Sequence, residues 1–118
     1  MTVYVDDMHR YSMGNYGRMR MSHMIADTDD EAHEMAARIG VARKWYQGDH
    51  YDICRSMREK AVKAGAVEIT IRQLGAMARL KKFGLPMGEP ETAVERLIEA
   101  ARERAALRAR GASDADFT

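Results

Sequence analysis

The sequence has little of several features that would identify a function directly. It contains one cysteine, Cys54, which excludes an intrachain disulfide and any zinc site built from paired cysteines. No apolar run reaches the roughly 20 residues that a membrane span needs. Charges nearly cancel, with 19 Lys and Arg against 18 Asp and Glu, so no basic surface attracts nucleic acid. The first residues, MTVYVDDMHRY, lack the apolar segment of a signal peptide, and we expect a reducing, cytoplasmic location.

Strand and helix patterns alternate along the chain. β-branched and apolar segments predict four strands, at residues 2–5, 21–26, 43–47 and 66–70. Capping-box spacings predict helices starting at Thr28, Ser56 and Thr70. We therefore predict an α/β fold with a small, mainly parallel sheet of about four strands flanked by helices, within residues 1–85.

Residues 86–118 are predicted to form a C-terminal helical extension, which begins near Pro90 and ends in a disordered tail. The apolar stripe of this helix is narrow. Its members are Val94, Leu97, Ile98, Ala101 and Ala105. Two interpretations remain open: the helix packs on its own domain, or it pairs with a second copy in a homo-oligomer.

Polar residues follow the predicted strands. In a parallel sheet the carboxyl ends of the strands share one edge, where ligands bind, so we expect these side chains to form a site. They are Asp6, Asp7, Asp27, Gln47, Gly48, Asp49, His50, Tyr51, Asp52 and Thr70.

The stretch QGDHYDI, residues 47–53, is the densest part of this set. Asp49 and His50 are the candidate catalytic residues, and Asp52 is placed to orient His50. Together with Asp6 and Asp7, Asp49 and His50 are also candidate ligands of a divalent metal ion, the one cofactor that we consider. The spacing matches no established metal or nucleotide motif. The structural alternative is that Asp52 caps the next helix and Tyr51 belongs to the core.

Five residues are candidates for ligand binding: Arg18, His23, Gln47, Tyr51 and Asp52. Arg18 can bind a phosphate or carboxylate through two hydrogen bonds, or it can be ordinary surface charge. His23 either lines a pocket or is a half-buried histidine with its hydrogen bonds satisfied. The small partner molecule is therefore predicted to be anionic, such as a nucleotide or phosphoester, held by Arg18 and helix N-termini.

The chain resembles the DUF4031 family, whose members are small uncharacterised proteins of bacteria and bacteriophages. Four stretches carry the resemblance: VYVDD, GRMRMSHMIADTDDEAHEMAARIG, KWYQGDHYDI and REKAVKAGAVEIT. It covers about residues 2–71, and the part from residue 87 lies outside it. The resemblance implies no activity. It implies signature positions at Asp6, Asp7, Arg18, His23, Asp27, Gly48, Asp49, His50, Tyr51 and Asp52.

Three classes of function remain open on the sequence. The first is a metal-assisted hydrolase, in which a divalent ion activates water. The second is a module that binds or sequesters a small anionic ligand without catalysis. The third is an interaction protein that acts through its C-terminal helix.

Overall fold

The computed structural model describes residues 2–116, with side chains for residues 2–111. Its strands are β1 (Val3–Val5), β2 (Asn15–Tyr16), β3 (Met19–Ala26), β4 (Tyr51–Cys54) and β5 (Val67–Glu68). Its α-helices are α1 (Asp29–Ile39), α2 (Arg55–Lys63), α3 (Ile71–Lys82) and α4 (Pro90–Asp116). The α/β class that the sequence predicts is confirmed.

The five strands form a mixed sheet, so the prediction of a mainly parallel sheet was wrong. β3 pairs antiparallel with β1, β2 and β4, and β1 with β5 is the one parallel pair in the described chain. The connection from β1 to β3 contains only short 3-10 turns and β2, without the crossover helix that parallel strands need. Tyr51, the first residue of β4, pairs with Met24 near the end of β3. Residues 40–50 therefore bring the chain from the end of α1 to the same end of the sheet at which β3 finishes.

Helices cover both faces of the sheet, because alternate strand residues point to opposite sides. Val5 and Met24 pack with α1 and α2 in one buried cluster. Their neighbours Tyr4 and Ile25 pack with α3 and α4 in the other. The histidine–aspartate cluster described below lies on the α3 side.

Two predicted helix starts are confirmed by their hydrogen bonds. The Thr28 hydroxyl accepts the Glu31 N–H at 3.2 Å, and Thr70 and Gln73 form a reciprocal capping box. Gly40, in the left-handed conformation at φ 88°, ends α1. The start predicted at Ser56 was wrong, since α2 begins at Arg55 with Cys54 at its N-cap.

The strand predicted at residues 43–47 is absent. Arg43–Trp45 is a 3-10 turn, and Tyr46 makes a single bridge to Tyr51. The side chains of residues 42–45 are all exposed, so this segment has no buried face that would hold it in the sheet.

Helix α4 packs on α3 over its first part and then extends away from the domain. Ala93 and Ala100 are buried against α3, whereas every residue from 101 to 111 is exposed. The backbone is helical through Asp116, which includes most of the predicted tail; residues 117 and 118 lie outside the described chain. No helix in the described range has both the length and the apolar character to cross a bilayer.

Candidate functional site

The side chains of Asp6, His23 and Asp52 lie side by side across the central strands, on the sheet face that α3 covers. The Asp6 N–H, just beyond β1, donates to the His23 carbonyl of β3 at 3.1 Å. On the other edge of β3, His23 is paired with Asp52 of β4. The antiparallel register therefore brings together residues that the sequence analysis expected to meet at the ends of parallel strands.

His23 is held by the fully buried carboxylate of Asp6. Oδ1 of Asp6 accepts the backbone N–H groups of His23 at 2.9 Å and Met8 at 3.2 Å, and Oδ2 lies 2.7 Å from Nδ1 of His23. Because an ionised carboxylate can only accept, Nδ1 carries the proton and Nε2 faces the cluster. The hydrogen bond to Asp6 raises the pKa of His23, and burial opposes this rise.

His50 repeats this arrangement on the opposite side of the cluster. Its Nδ1 lies 2.5 Å from Oδ1 of Asp49, whose other oxygen is 3.5 Å from Nζ of Lys82. Burial would raise the pKa of the Asp49 carboxyl, but the hydrogen bond and charge of His50, with Lys82, lower it overall. Gly48, at φ 91°, makes the turn that presents Asp49 and His50.

The Asp52 carboxylate lies between the two imidazoles. Its Oδ2 accepts a hydrogen bond from the Gln47 amide at 2.6 Å. Its Oδ1 is buried and has no hydrogen-bond partner among the described residues. Nε2 of His50 lies 3.4 Å from this oxygen and Nε2 of His23 lies 3.7 Å from it, both longer than an N–H···O hydrogen bond.

Ligand atoms of His23, His50 and Asp52 all lie within 4.8 Å of one another. Two atoms bound to zinc at about 2.0–2.1 Å with a tetrahedral angle are roughly 3.3 Å apart, close to the spacing of Asp52 Oδ1 from each imidazole. The carboxylates of Asp6 and Asp49 bond the opposite ring nitrogens, as carboxylates do behind metal-ligating histidines. Two of the three distances in this group are thus close to those of a metal site.

Two cavities lie beside the cluster. A small one of about 170 Å³ lies between the imidazoles and α3, where Gly75 and Ala78 form part of its wall. A larger groove of about 540 Å³ runs along β4, and both Gln47 and Asp52 line it. Members of the cluster therefore line a cavity on each of two sides.

Six of the residues predicted from the sequence lie together in this cluster. They are Asp6, His23, Gln47, Asp49, His50 and Asp52. Asp6 and Asp49, which we expected as metal ligands, lie against Nδ1 of His23 and of His50. The group with the spacing of a metal site is His23, His50 and Asp52, of which His50 was among the predicted ligands.

Three other candidate residues lie elsewhere. Asp7 accepts the N–H of Ile71 at 2.8 Å, at the start of α3. Arg18 is exposed in the β2–β3 turn and lines neither cavity. Tyr51 is buried on the opposite face, with its hydroxyl 2.6 Å from Nδ1 of His33, as the structural alternative predicted.

Sequence reasoning missed the groove and the contribution of Lys82. Met19 and Met21 line the groove, and their alternation with His23 in one strand places all three on one face, a signal that could have found it. No comparable signal exists for Lys82, because it reaches Asp49 from the last turn of a helix distant in sequence.

The fold and the cluster define a small α/β protein with a histidine–aspartate site. Its family follows from comparison: the model of DUF4031, described as a protein of unknown function, matches residues 3–81, and the chain belongs to this family. Every residue of the cluster except Lys82 lies within the matched range. Searches of curated proteins and of solved structures found no match.

Proposed function

We propose that the protein is a metal-dependent hydrolase of small phosphoesters, with a divalent ion bound by His23, His50 and Asp52. One observation carries this proposal: Oδ1 of Asp52 is buried without a hydrogen-bond partner among the described residues and faces two imidazole nitrogens. Burying a carboxylate oxygen without a hydrogen bond costs free energy. An ion at this point would bond that oxygen and both nitrogens.

The donor set favours a transition metal. Two imidazoles and one carboxylate suit zinc, iron or a similar ion better than magnesium or calcium, which prefer oxygen. Three protein ligands leave a coordination position open, as in catalytic zinc sites. An ion held by these residues would lower the pKa of a bound water to about 7 and so supply hydroxide near neutral pH.

Charge links the ion to an anionic substrate. The carboxylates of Asp6, Asp49 and Asp52 against the ammonium of Lys82 leave a formal charge of −2 when both imidazoles are neutral, since three minus one is two. This charge repels a phosphate, and a divalent cation cancels it. The sequence analysis assigned the binding of the anionic substrate to Arg18. In this proposal the metal ion attracts the substrate instead. In the reaction, a water oxygen bonds to phosphorus, the bond to the ester oxygen breaks, and the water's proton passes to the departing oxygen.

Calorimetric titration of the chelator-treated protein with Zn²⁺, Mn²⁺ and Fe²⁺ tests the site. We expect one equivalent to bind, and we expect Asp52→Asn to lower the affinity at least tenfold, since the amide supplies no anionic ligand. Asp30→Asn, an exposed aspartate of α1, is the matched control. Absence of binding, or unchanged affinity in Asp52→Asn, would contradict the proposal.

Turnover is measured on the metal-loaded protein with a panel of phosphomonoesters, phosphodiesters and nucleotides. Release of phosphate or alcohol that depends on both the metal and Asp52 supports a hydrolase. One equivalent of bound metal without turnover of any member would instead favour the second class, a binding module.

A further inference from the structure

The groove along β4 has a volume of about 540 Å³. That volume is within the range of about 300–1,000 Å³ that is typical of small-molecule sites. Apolar side chains form most of its wall, among them Tyr16, Met19, Met21, Trp45 and Met57. Asp52 is the one charged residue in the lining, so the walls carry no cation for a phosphate.

Large apolar side chains at the groove remain open to solvent. Tyr16 is 71% exposed, Trp45 61% and Met19 46%. A cluster of such side chains at one cavity is typical of a binding site, whereas single exposed apolar residues are ordinary. Tyrosine and tryptophan rings stack on flat rings, and methionine sulfur packs favourably against aromatic rings. The wall chemistry therefore fits a planar, uncharged ring better than an ion.

The groove and the cluster share Asp52. One oxygen of this carboxylate belongs to the candidate metal site, while the other accepts a hydrogen bond from Gln47, which also lines the groove. A molecule in the groove can thus lie against Asp52 and Gln47, at the edge of the cluster. Building on the proposed function, we propose that the groove binds an aromatic ring of the substrate, so that the substrates are esters carrying an aryl or nucleobase group.

The affinity of ring-bearing compounds tests this proposal, and the chain offers two signals at the site. Trp45 is the single tryptophan, and its emission on excitation at 295 nm reports on the groove. Cys54, the single cysteine, also lines the groove, so its alkylation by iodoacetamide measures protection by a ligand.

With zinc bound, we expect phenyl phosphate and adenosine monophosphate to change Trp45 emission and protect Cys54. Methyl phosphate, which has the same anion without a ring, should bind about tenfold more weakly. The compound of these two that binds with the higher affinity shows whether an aryl or a nucleobase ring is preferred. Met19→Ala should weaken the ring compounds about three- to tenfold and leave methyl phosphate unchanged. Leu107→Ala, a similarly exposed apolar residue of α4, is the control.

Phenol and adenosine, tested with chelator, separate this inference from the metal proposal. Protection of Cys54 by these neutral rings supports ring binding in the groove even if the titration shows no metal binding. In that case the hydrolase proposal fails and the groove proposal stands. Equal affinities for methyl phosphate and the ring compounds would overturn the groove proposal, and so would ring binding that Met19→Ala does not weaken. Neither result bears on the proposed metal site, which the metal titration tests separately.

Discussion

The Asp6 carboxylate holds both the backbone and the ring of His23, through an N–H···Oδ1 bond of 2.9 Å and an Nδ1···Oδ2 contact of 2.7 Å. Asp49 makes the corresponding ring contact with His50 at 2.5 Å. The two aspartates differ in burial, because Asp6 is fully buried whereas Asp49 lies in a loop and remains partly exposed. They should therefore respond differently to substitution.

Asp6→Asn and Asp49→Asn should both weaken metal binding, by about 10- to 100-fold. An asparagine amide that donates to Nδ1 shifts the imidazole proton to Nε2, the nitrogen that would bind the ion. Calorimetric titration with zinc measures this effect, and Asp30→Asn is the control. Unchanged affinity in both variants would show that these carboxylates do not orient metal ligands.

Stability should separate the same two variants. Asp6→Asn disturbs a buried acceptor of three hydrogen bonds and should cost about 1–3 kcal/mol, a fall of several degrees in Tm. Asp49→Asn and His50→Gln should melt close to the wild type in chelator, because their side chains are partly exposed in a turn. A drop of roughly 5 °C or more in both would make residues 47–50 a structural turn instead of a site.

Gly75 should control access to the imidazoles from the α3 side. A Cβ at this position meets nothing within 4 Å, and the residue lines the small cavity over His23 and His50. Gly75→Ala should raise stability by about 0.5–1 kcal/mol, since glycine disfavours a helix interior. Gly75→Leu should fill the cavity.

Because it fills the cavity beside the imidazoles, Gly75→Leu should lower kcat/KM while zinc affinity and Tm stay near wild-type values. Arg72→Leu, an exposed residue of the same helix, is the matched control. Full activity in Gly75→Leu would assign substrate entry to the groove along β4.

Asp29 should contribute to stability against acid. Hydrogen bonds from Tyr46 at 2.6 Å and from Lys81 at 3.0 Å lower the pKa of its carboxyl. Because the folded-state pKa lies below the unfolded value of 3.8, the contribution is present above about pH 4 and is lost as pH falls through the folded pKa. The group is largely exposed, so the effect should be under about 1 kcal/mol.

Thermal melts of the wild type and Asp29→Asn between pH 2.5 and 7, with chelator, measure this contribution. The Tm difference should be largest near neutral pH and vanish at the acid end, whereas Asp30→Asn should follow the wild type. A difference that is independent of pH would show that the contacts of Asp29 act without its charge.

Self-association through α4 stays a prediction, and the helix has a charge pattern that suits an antiparallel pair. Val94, Ile98, Ala101 and Ala105 are spaced by four, three and four residues, which places them on one side of α4, where Ile98 and both alanines are exposed. The first half of the helix has glutamates at 91, 95, 99 and 103 against Arg96 and Arg102, and the second half has arginines at 104, 108 and 110 against Asp114 and Asp116, so their net charges have opposite signs. In an antiparallel pair of two copies, each acidic half faces a basic half.

Light scattering on the full chain should therefore give the mass of a dimer, and Ile98→Glu should return it to a monomer. Ala106→Lys, an exposed position on a different side of α4, is the control. A monomeric wild type would assign the exposed half of α4 to some other role.

Local chemistry explains which features were predictable from the sequence. The starts of α1 and α3 depend on side-chain hydrogen bonds that span three residues, so the sequence alone identified Thr28 and Thr70 as N-caps. Most residues of the candidate cluster could also be predicted from the sequence, because Asp6, His23 and residues 49–52 are polar groups within or next to clear strand patterns. Their sequence context marked them as unusual before any long-range contact was known.

Strand direction and side-chain roles depended on tertiary structure. β3 and β4 pair across a connection of more than twenty residues, and nothing local in that connection specifies whether the pair is parallel or antiparallel. The register then decides the faces: with His23 opposite Asp52, that carboxylate enters the cluster and its neighbour Tyr51 enters the core. A slip of one residue would exchange the two, because strand side chains alternate with a period of two.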